Sequence, residues 1–179
     1  MEVTVSTESK QILVVYATRY GSTREVAESM AATFREEGLE VVVQPVQKVR
    51  ALNGHRAVVV GAPLYLGTWH KEALALLAGN RDVLQGLPVA LFALGPLHDD
   101  LKERQEAHAQ FRKALGSLPW LAPVAEEVFC GKYDPAKLRI GDRLIAALPA
   151  SPLHGLPASD ARDWTSIRAW ARELARSLA

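Results

Sequence analysis

Near its N-terminus the sequence passes directly from a buried-strand pattern, through a short polar loop, into a helical pattern. Residues 12–17 are continuously apolar rather than alternating, which predicts a central strand covered on both faces of a parallel sheet. Residues 18–24 then bring hydroxyl groups, one glycine and two arginines, and a helical period follows. Because a helix N-terminus offers unpaired backbone N–H groups and the positive end of the helix dipole, this unit predicts a phosphate site.

The same alternation of apolar runs and helical periods continues along the chain. Further strands are predicted at residues 40–44, 56–62, 88–94 and 124–129. Helices are predicted at residues 23–37, 70–79, 99–116, 135–148 and 160–178. Together these elements predict an α/β fold with a doubly wound, five-stranded parallel sheet in a three-layer sandwich. In such sheets the ligand binds beyond the carboxyl ends of the strands, so the loops there are the candidate site.

The composition excludes several classes of function. The 179 residues are enough for one domain, and a net charge of +1 provides no field for nucleic acid, so no nucleic-acid partner is predicted. Cys130 is the single cysteine, which excludes an intrachain disulfide and fits a reducing compartment. Residues 1–10 are polar and lack the apolar core of a secretion signal. They are predicted to form a disordered tail, and the protein is predicted to be cytoplasmic.

The first loop lacks the motifs of the common nucleotide sites. The dinucleotide pattern G-x-G-x-x-G and the P-loop pattern G-x-x-x-x-G-K-[ST] are both absent after the first strand, and no carboxylates cluster there for Mg²⁺. The hydroxyls of Thr18, Ser22 and Thr23 could hold a terminal phosphomonoester, while Gly21 lets the backbone approach it closely. In the alternative interpretation, Ser22 or Thr23 only caps the helix.

Two further loops follow predicted strand ends. Residues 63–70 place Tyr65 and Trp69 beside a glycine, which suits a flat heteroaromatic ligand, although core packing is the alternative for both aromatics. Residues 95–100 offer backbone groups to a ligand's polar edge. His98 could donate a proton there or could be a solvated loop residue. No pair of histidines has a convincing spacing for a metal, and no metal site is predicted.

The chain resembles the flavodoxin family at two of these loops. The family's phosphate loop T-x-x-G-x-T is present as Thr18, Gly21 and Thr23, and the run from Gly61 to Tyr65 is similar to the end of the family's third strand. The resemblance implies the strand order 2-1-3-4-5 and an FMN-binding domain over residues 11–179, in which the first loop takes the phosphate and the other two enclose the isoalloxazine. The implied cofactor-binding residues are Thr18, Arg19, Tyr20, Gly21, Ser22, Thr23, Pro63, Leu64, Tyr65, Leu66, Gly67, Gly95, Pro96, Leu97 and His98.

Within the family the chain is most similar to the menaquinone-dependent protoporphyrinogen oxidases of flavodoxin type. The points of similarity include residues 17–25, with Arg19 inside the loop, and the ending that contains Asp163 and Trp164. This resemblance implies an FMN-dependent oxidoreductase that acts on a small-molecule redox substrate or a quinone. Arg19 would add charge to the phosphate or steer an acidic substrate. Residues 99–106 lean acidic where those oxidases carry a basic insertion, so a porphyrin substrate does not follow from the resemblance.

Two other functions are compatible with the same loops. An electron carrier would dock to a redox protein partner, but electron-carrier flavodoxins are strongly acidic and this chain is not. A binding module could keep the fold without flavin. The apolar face of the helix around residues 138–148 could touch a membrane surface; we expect it instead to pack on the sheet, because α/β domains cover both sheet faces.

Overall fold

The apolar runs of the sequence form the central sheet. A computed structural model describes residues 11–179, and the predicted tail at residues 1–10 lies outside the described residues. The strands of the sheet are β1 (Gln11–Tyr16), β2 (Glu40–Pro45), β3 (Ala57–Tyr65), β4 (Thr68–Trp69), β5 (Val89–Leu94) and β6 (Ala125–Phe129). All except β4 are parallel, and they lie in the order β2-β1-β3-β5-β6. Counted among themselves, the parallel strands therefore have the predicted order 2-1-3-4-5.

Strand β4 makes the sheet six-stranded rather than five-stranded. It pairs antiparallel with the end of β3, with Leu64 opposite Trp69 and Tyr65 opposite Thr68. The sequence predicts a loop here, and that prediction was wrong. Strand β4 has only two residues, which is too short to give a periodic pattern in the sequence. Its turn is made by Leu66 and Gly67, which have φ angles of 50° and 77°. The hairpin connects the second candidate loop to the end of β3 by strand pairing.

Helices cover both faces of the sheet and confirm the three-layer sandwich. They are α1 (Ser22–Glu36), α2 (Lys71–Gly79), α3 (Arg81–Leu84), α4 (Leu101–Leu115), α5 (Ile140–Ala147) and α6 (Trp164–Leu178). Helices α1 and α6 pack on one face, where Met30, Phe34 and Ile167 are fully buried. Helices α2 and α4 pack on the other face through Leu77 and Phe111. None of the helices described in residues 11–179 is long and apolar enough to span a membrane.

Helix α5 belongs to an excursion beyond the sheet. Strand β7 (Lys132–Tyr133) pairs antiparallel with β8 (Ser159–Asp160), and the residues between them leave the sheet and return. We call residues 134–156 the cap segment. The helix predicted at residues 135–148 is divided here into a 3-10 turn at Pro135–Lys137 and α5, because Leu138 and Arg139 adopt extended conformations.

The prediction that this helix packs on the sheet was wrong. Ile140 and Leu144 of α5 are 81% and 66% exposed, and Leu148 directly after it is 56% exposed. The buried residue of α5 is a carboxylate, Asp142. The helix therefore has the right apolar period but turns its polar side toward the protein.

Candidate functional site

A cavity of about 280 Å³ lies beyond the carboxyl ends of β1, β3 and β5. All three candidate loops contribute to its wall, as expected for a doubly wound sheet. The residues of the predicted site that line it are Arg19, Tyr20, Ser22, Pro63, Leu64, Tyr65, Leu66, Gly67, Gly95 and Leu97. The remaining wall comes from Leu94, from residues around β7 and from the cap segment: Gly131, Lys132, Tyr133, Asp134, Lys137, Leu138, Pro152 and Leu153.

The first loop presents the N-terminus of α1 without a side-chain cap. Thr18 Oγ1 accepts a hydrogen bond of 2.9 Å from the backbone N–H of Gly21, and this bond stabilises the conformation of the loop. Gly21 is the N-cap residue, with a φ of 92°, a left-handed conformation that favours glycine. No side chain of the described residues 11–179 caps this helix, so the interpretation of Ser22 or Thr23 as a simple cap does not hold. The N–H groups of the first turn are left for an anion.

Thr23 supports the same conclusion. Its Oγ1 atom is buried and has no hydrogen-bond partner among the residues that the structure describes. An unsatisfied buried hydroxyl costs roughly 1–3 kcal/mol. A phosphate oxygen held at the start of α1 would give this hydroxyl a partner. The residues of the loop therefore fit a phosphomonoester.

Asp142 ties the cap segment to two of the candidate loops. Its carboxylate accepts hydrogen bonds from Arg19 Nε at 2.7 Å and from Arg19 Nη2 at 2.6 Å. The same carboxylate accepts hydrogen bonds from the hydroxyl of Tyr20 and, at 2.5 Å, from that of Tyr65. With only 4% of its surface exposed, Asp142 is the buried centre of a polar cluster whose other members are partly exposed. We call Arg19, Tyr20, Tyr65 and Asp142 the Asp142 cluster.

The cluster shifts the ionisation of its members. Burial raises the pKa of Asp142, but the hydrogen bonds from Arg19, Tyr20 and Tyr65 outweigh burial and lower that pKa to about 2. Burial and the hydrogen bond to Asp142 raise the pKa of the Tyr65 phenol to about 12. The hydrogen bond to Asp142 also raises the pKa of the Arg19 guanidinium. Near neutral pH the site thus holds a carboxylate, a guanidinium and a neutral phenol.

Arg19 is an anchored residue rather than a solvated one. Besides its bidentate pair with Asp142, its guanidinium carbon lies 4.6 Å from the centre of the Tyr65 ring, a cation–π contact. Its side chain is one-third exposed and lines the cavity. Arg19 can therefore present hydrogen-bond donors at the cavity while its charge is balanced by Asp142, which holds it in place.

Five residues of the predicted site do not line the cavity. Four of them, Thr18, Gly21, Thr23 and Pro96, are sequence neighbours of residues that do line it. The fifth, His98, is exposed, and its Nδ1 atom is 2.8 Å from Glu103 Oε1. The described part of the chain contains no group of three or more His, Cys, Asp or Glu side chains that could hold a metal.

Trp69 packs in the core and is not available to a ligand. It is fully buried, and its Nε1 atom donates a 3.0 Å hydrogen bond to the carbonyl oxygen of Ala62. Its ring packs edge-on against Phe111, with 5.1 Å between the ring centroids. Of the two aromatics in the second loop, only Tyr65 is available to a ligand.

The Tyr65 phenol is expected to ionise near pH 12, about two units above the ordinary tyrosine value of about 10. A raised pKa means that folding favours the neutral phenol. The stabilisation is therefore fully present below about pH 10 and is lost as the pH rises through about 12. The test is a spectrophotometric titration of tyrosinate absorbance in the wild type and in Tyr65→Phe. The difference between the two titration curves reports the ionisation of the Tyr65 phenol. If the difference spectrum titrates at the ordinary value, the Tyr65 phenol is neither buried nor hydrogen-bonded to Asp142 in solution.

Comparison with known proteins places these features in context. The family model for the flavodoxin domain (Flavodoxin_5) matches residues 13–156. The protoporphyrinogen IX dehydrogenase [quinone] of Escherichia coli K12 is 25% identical over 172 residues, which covers 91% of this chain and 93% of that protein.

Solved structures share the fold at lower identity. The oxidised flavodoxin 1 of Bacillus cereus is 15% identical with a TM-score of 0.58, and the match covers 94% of this chain and 99% of that one. Rubredoxin oxygen:oxidoreductase of Desulfovibrio gigas is 15% identical with a TM-score of 0.56. That match covers 97% of this chain but only 37% of the longer protein.

Proposed function

The chain belongs to the flavodoxin domain family, and on that premise we propose that it is an FMN-dependent oxidoreductase which passes electrons from a reduced organic substrate to a quinone-like acceptor. Membership of the family implies a flavin cofactor. FMN is favoured among the flavins because the first loop suits a terminal phosphate group. The E. coli relative, named for protoporphyrinogen IX and a quinone, supports the choice of an oxidoreductase and of its substrate classes.

The observation that carries the proposal is the open N-terminus of α1 at the edge of the cavity. Ser22 lines the cavity at the first position of that helix, and the unpartnered hydroxyl of Thr23 is the next residue along. Residues 18–23 would hold the phosphate through backbone N–H groups and hydroxyls. Leu64, Tyr65 and Leu97 would supply apolar and aromatic contacts to the flavin ring.

When bound, the flavin supplies the redox chemistry, while the protein supplies position and electrostatics. The cap segment forms one wall of the cavity through Leu138 and Leu153, and these apolar side chains would shield a bound flavin from water. Arg19 neutralises Asp142, so the buried carboxylate adds little net negative charge beside the cavity. The hydrogen bond between Tyr65 and Asp142 fixes the phenol ring at the cavity wall.

The proposed activity can be tested by anaerobic turnover. The FMN-loaded chain is mixed with protoporphyrinogen IX as donor and menadione as acceptor, and formation of the oxidised porphyrin is followed by fluorescence. We expect many turnovers per chain, at a rate well above that of an equal concentration of free FMN. A chain that binds FMN but gives no more than the free-FMN rate with this pair, and with other quinols and quinones, would contradict the enzyme. If its reduced flavin instead passes electrons to a redox protein, it is an electron carrier.

A further inference from the structure

The outward face of the cap segment is apolar although it lies on a helix. Ile140 and Leu144 stand four positions apart in α5 and therefore share one face, and Leu148 follows after the same interval. All three are exposed. Asp142 lies two positions from Ile140, on the opposite side, where it is buried against Arg19. The inner side of α5 is thus polar and occupied, and its outer side is apolar and unpartnered.

The charges around this face have one sign. The cap segment contains three cations, Lys137, Arg139 and Arg143, and two acidic residues, of which Asp134 precedes the 3-10 turn and lines the cavity and the other is Asp142. The three cations are exposed. Asp142 is buried and already paired with Arg19, so it does not offset them at the surface. The exposed face therefore combines apolar side chains with uncompensated positive charge.

We propose that this face of α5 docks on an anionic phospholipid membrane surface. An interfacial helix needs an apolar face that enters the boundary between headgroups and acyl chains, and cations that meet anionic headgroups. Ile140, Leu144 and Leu148 provide the first, and Lys137, Arg139 and Arg143 provide the second. The contact is peripheral, since the helix lies on the membrane and remains tied to the protein by Asp142.

Charge complementarity favours a membrane over a second copy of the chain. Two copies that paired through this face around a twofold axis would bring Arg139 and Arg143 of each copy toward those of the other. Like charges at such an interface oppose pairing.

Vesicle co-sedimentation with the full chain tests the proposal. We expect binding to vesicles of phosphatidylglycerol and phosphatidylcholine, much weaker binding to pure phosphatidylcholine, and loss of binding at high salt. The double variant Ile140→Ser/Leu144→Ser should bind the anionic vesicles at least tenfold more weakly. Because both side chains are exposed, circular dichroism and FMN uptake should match those of the wild type.

The matched control is Leu101→Ser on α4, which removes an equally exposed leucine (73%) outside the cap segment. It should bind vesicles like the wild type. The proposal is overturned if the wild type stays in the supernatant with anionic vesicles, or if Leu101→Ser loses as much binding as the double variant. The proposal is also overturned if the wild type does not bind vesicles and is a dimer in solution while the double variant is a monomer. In that case the face is an interface between copies of the chain.

Discussion

Replacing Ser22 by aspartate should weaken FMN binding at least 100-fold without destabilising the protein. Ser22 occupies the first position of α1 and lines the cavity. A carboxylate there interacts favourably with the positive end of the helix dipole, so the fold is kept or slightly stabilised. The same carboxylate would stand where the phosphate is proposed to bind. The repulsion of a phosphate dianion at about 5 Å amounts to several kcal/mol at a protein surface, and 100-fold is about 2.8 kcal/mol.

Two controls make this prediction specific. Riboflavin lacks the phosphate, so its affinity should be nearly the same in the wild type and in Ser22→Asp. Ser117→Asp makes the same charge change at an exposed serine after α4 and should leave FMN binding unchanged. Fluorescence titration of both flavins against the three proteins gives the comparison. If Ser22→Asp binds FMN as tightly as the wild type does, the phosphate must lie elsewhere.

Replacing Asp142 by alanine should release the cap segment from the cavity. The change leaves the guanidinium of Arg19 and the hydroxyls of Tyr20 and Tyr65 without their common acceptor. Losing hydrogen bonds to a buried charged group costs about 1–3 kcal/mol, and the loss is local because α5 contributes nothing to the two apolar cores. At about 1.4 kcal/mol per tenfold, we expect the open state of the cap segment to rise by roughly 10- to 100-fold.

Limited trypsin digestion measures this opening, because Lys137, Arg139 and Arg143 are cleavage sites within the cap segment. The variant should be cut there roughly 10- to 100-fold faster, in proportion to the open state, while its thermal unfolding changes little. The control is Asp99→Ala, which removes an exposed carboxylate paired with Arg104 at 2.6 Å and should cost almost nothing. Equal cleavage rates in the wild type and in Asp142→Ala would show that the Asp142 cluster does not hold the segment.

Acid should reproduce the effect of the variant in the wild type. The pKa of Asp142 is about 2 in the folded protein, below the ordinary aspartate value of about 3.9. Its stabilisation is therefore fully present above about pH 4 and is lost as the pH falls through about 2. Hydrogen exchange in the cap segment should rise over that interval in the wild type but not in Asp142→Ala. A wild type that exchanges independently of the state of Asp142 would contradict this assignment.

The parallel sheet was predictable because its strands correspond to uninterrupted apolar runs in the sequence. Residues such as Val14, Val59 and Leu91 are buried on whichever face they point to, so the chain needs no alternation there. The position of the first loop at the start of α1 was predictable for a related reason: strand, loop and helix are contiguous in the sequence. Strand β4 escaped prediction because a two-residue strand carries no periodic signal.

The contribution of the cap segment to the cavity was not predictable from local patterns. Asp142 lies 123 positions from Arg19 in the sequence, so no local spacing pattern predicts that the two residues pair. The available signal was an acidic residue, Asp142, within the helical period of residues 135–148, which is otherwise apolar and basic. The apolar period of α5 was identified correctly, but a period shows that a helix has an apolar face and not which way that face points. Here the ion pair of Asp142 decides the orientation and leaves the apolar face outside.

Flavin uptake by the purified chain tests the central claim most directly. Apoprotein is titrated with FMN and with riboflavin, and bound flavin per folded chain is measured by absorbance after removal of free flavin. We predict one FMN per chain and at least 100-fold weaker binding of riboflavin, because we propose that the open N-terminus of α1 holds the phosphate. A folded chain that takes up no FMN, or that binds FMN and riboflavin equally well, would contradict the account.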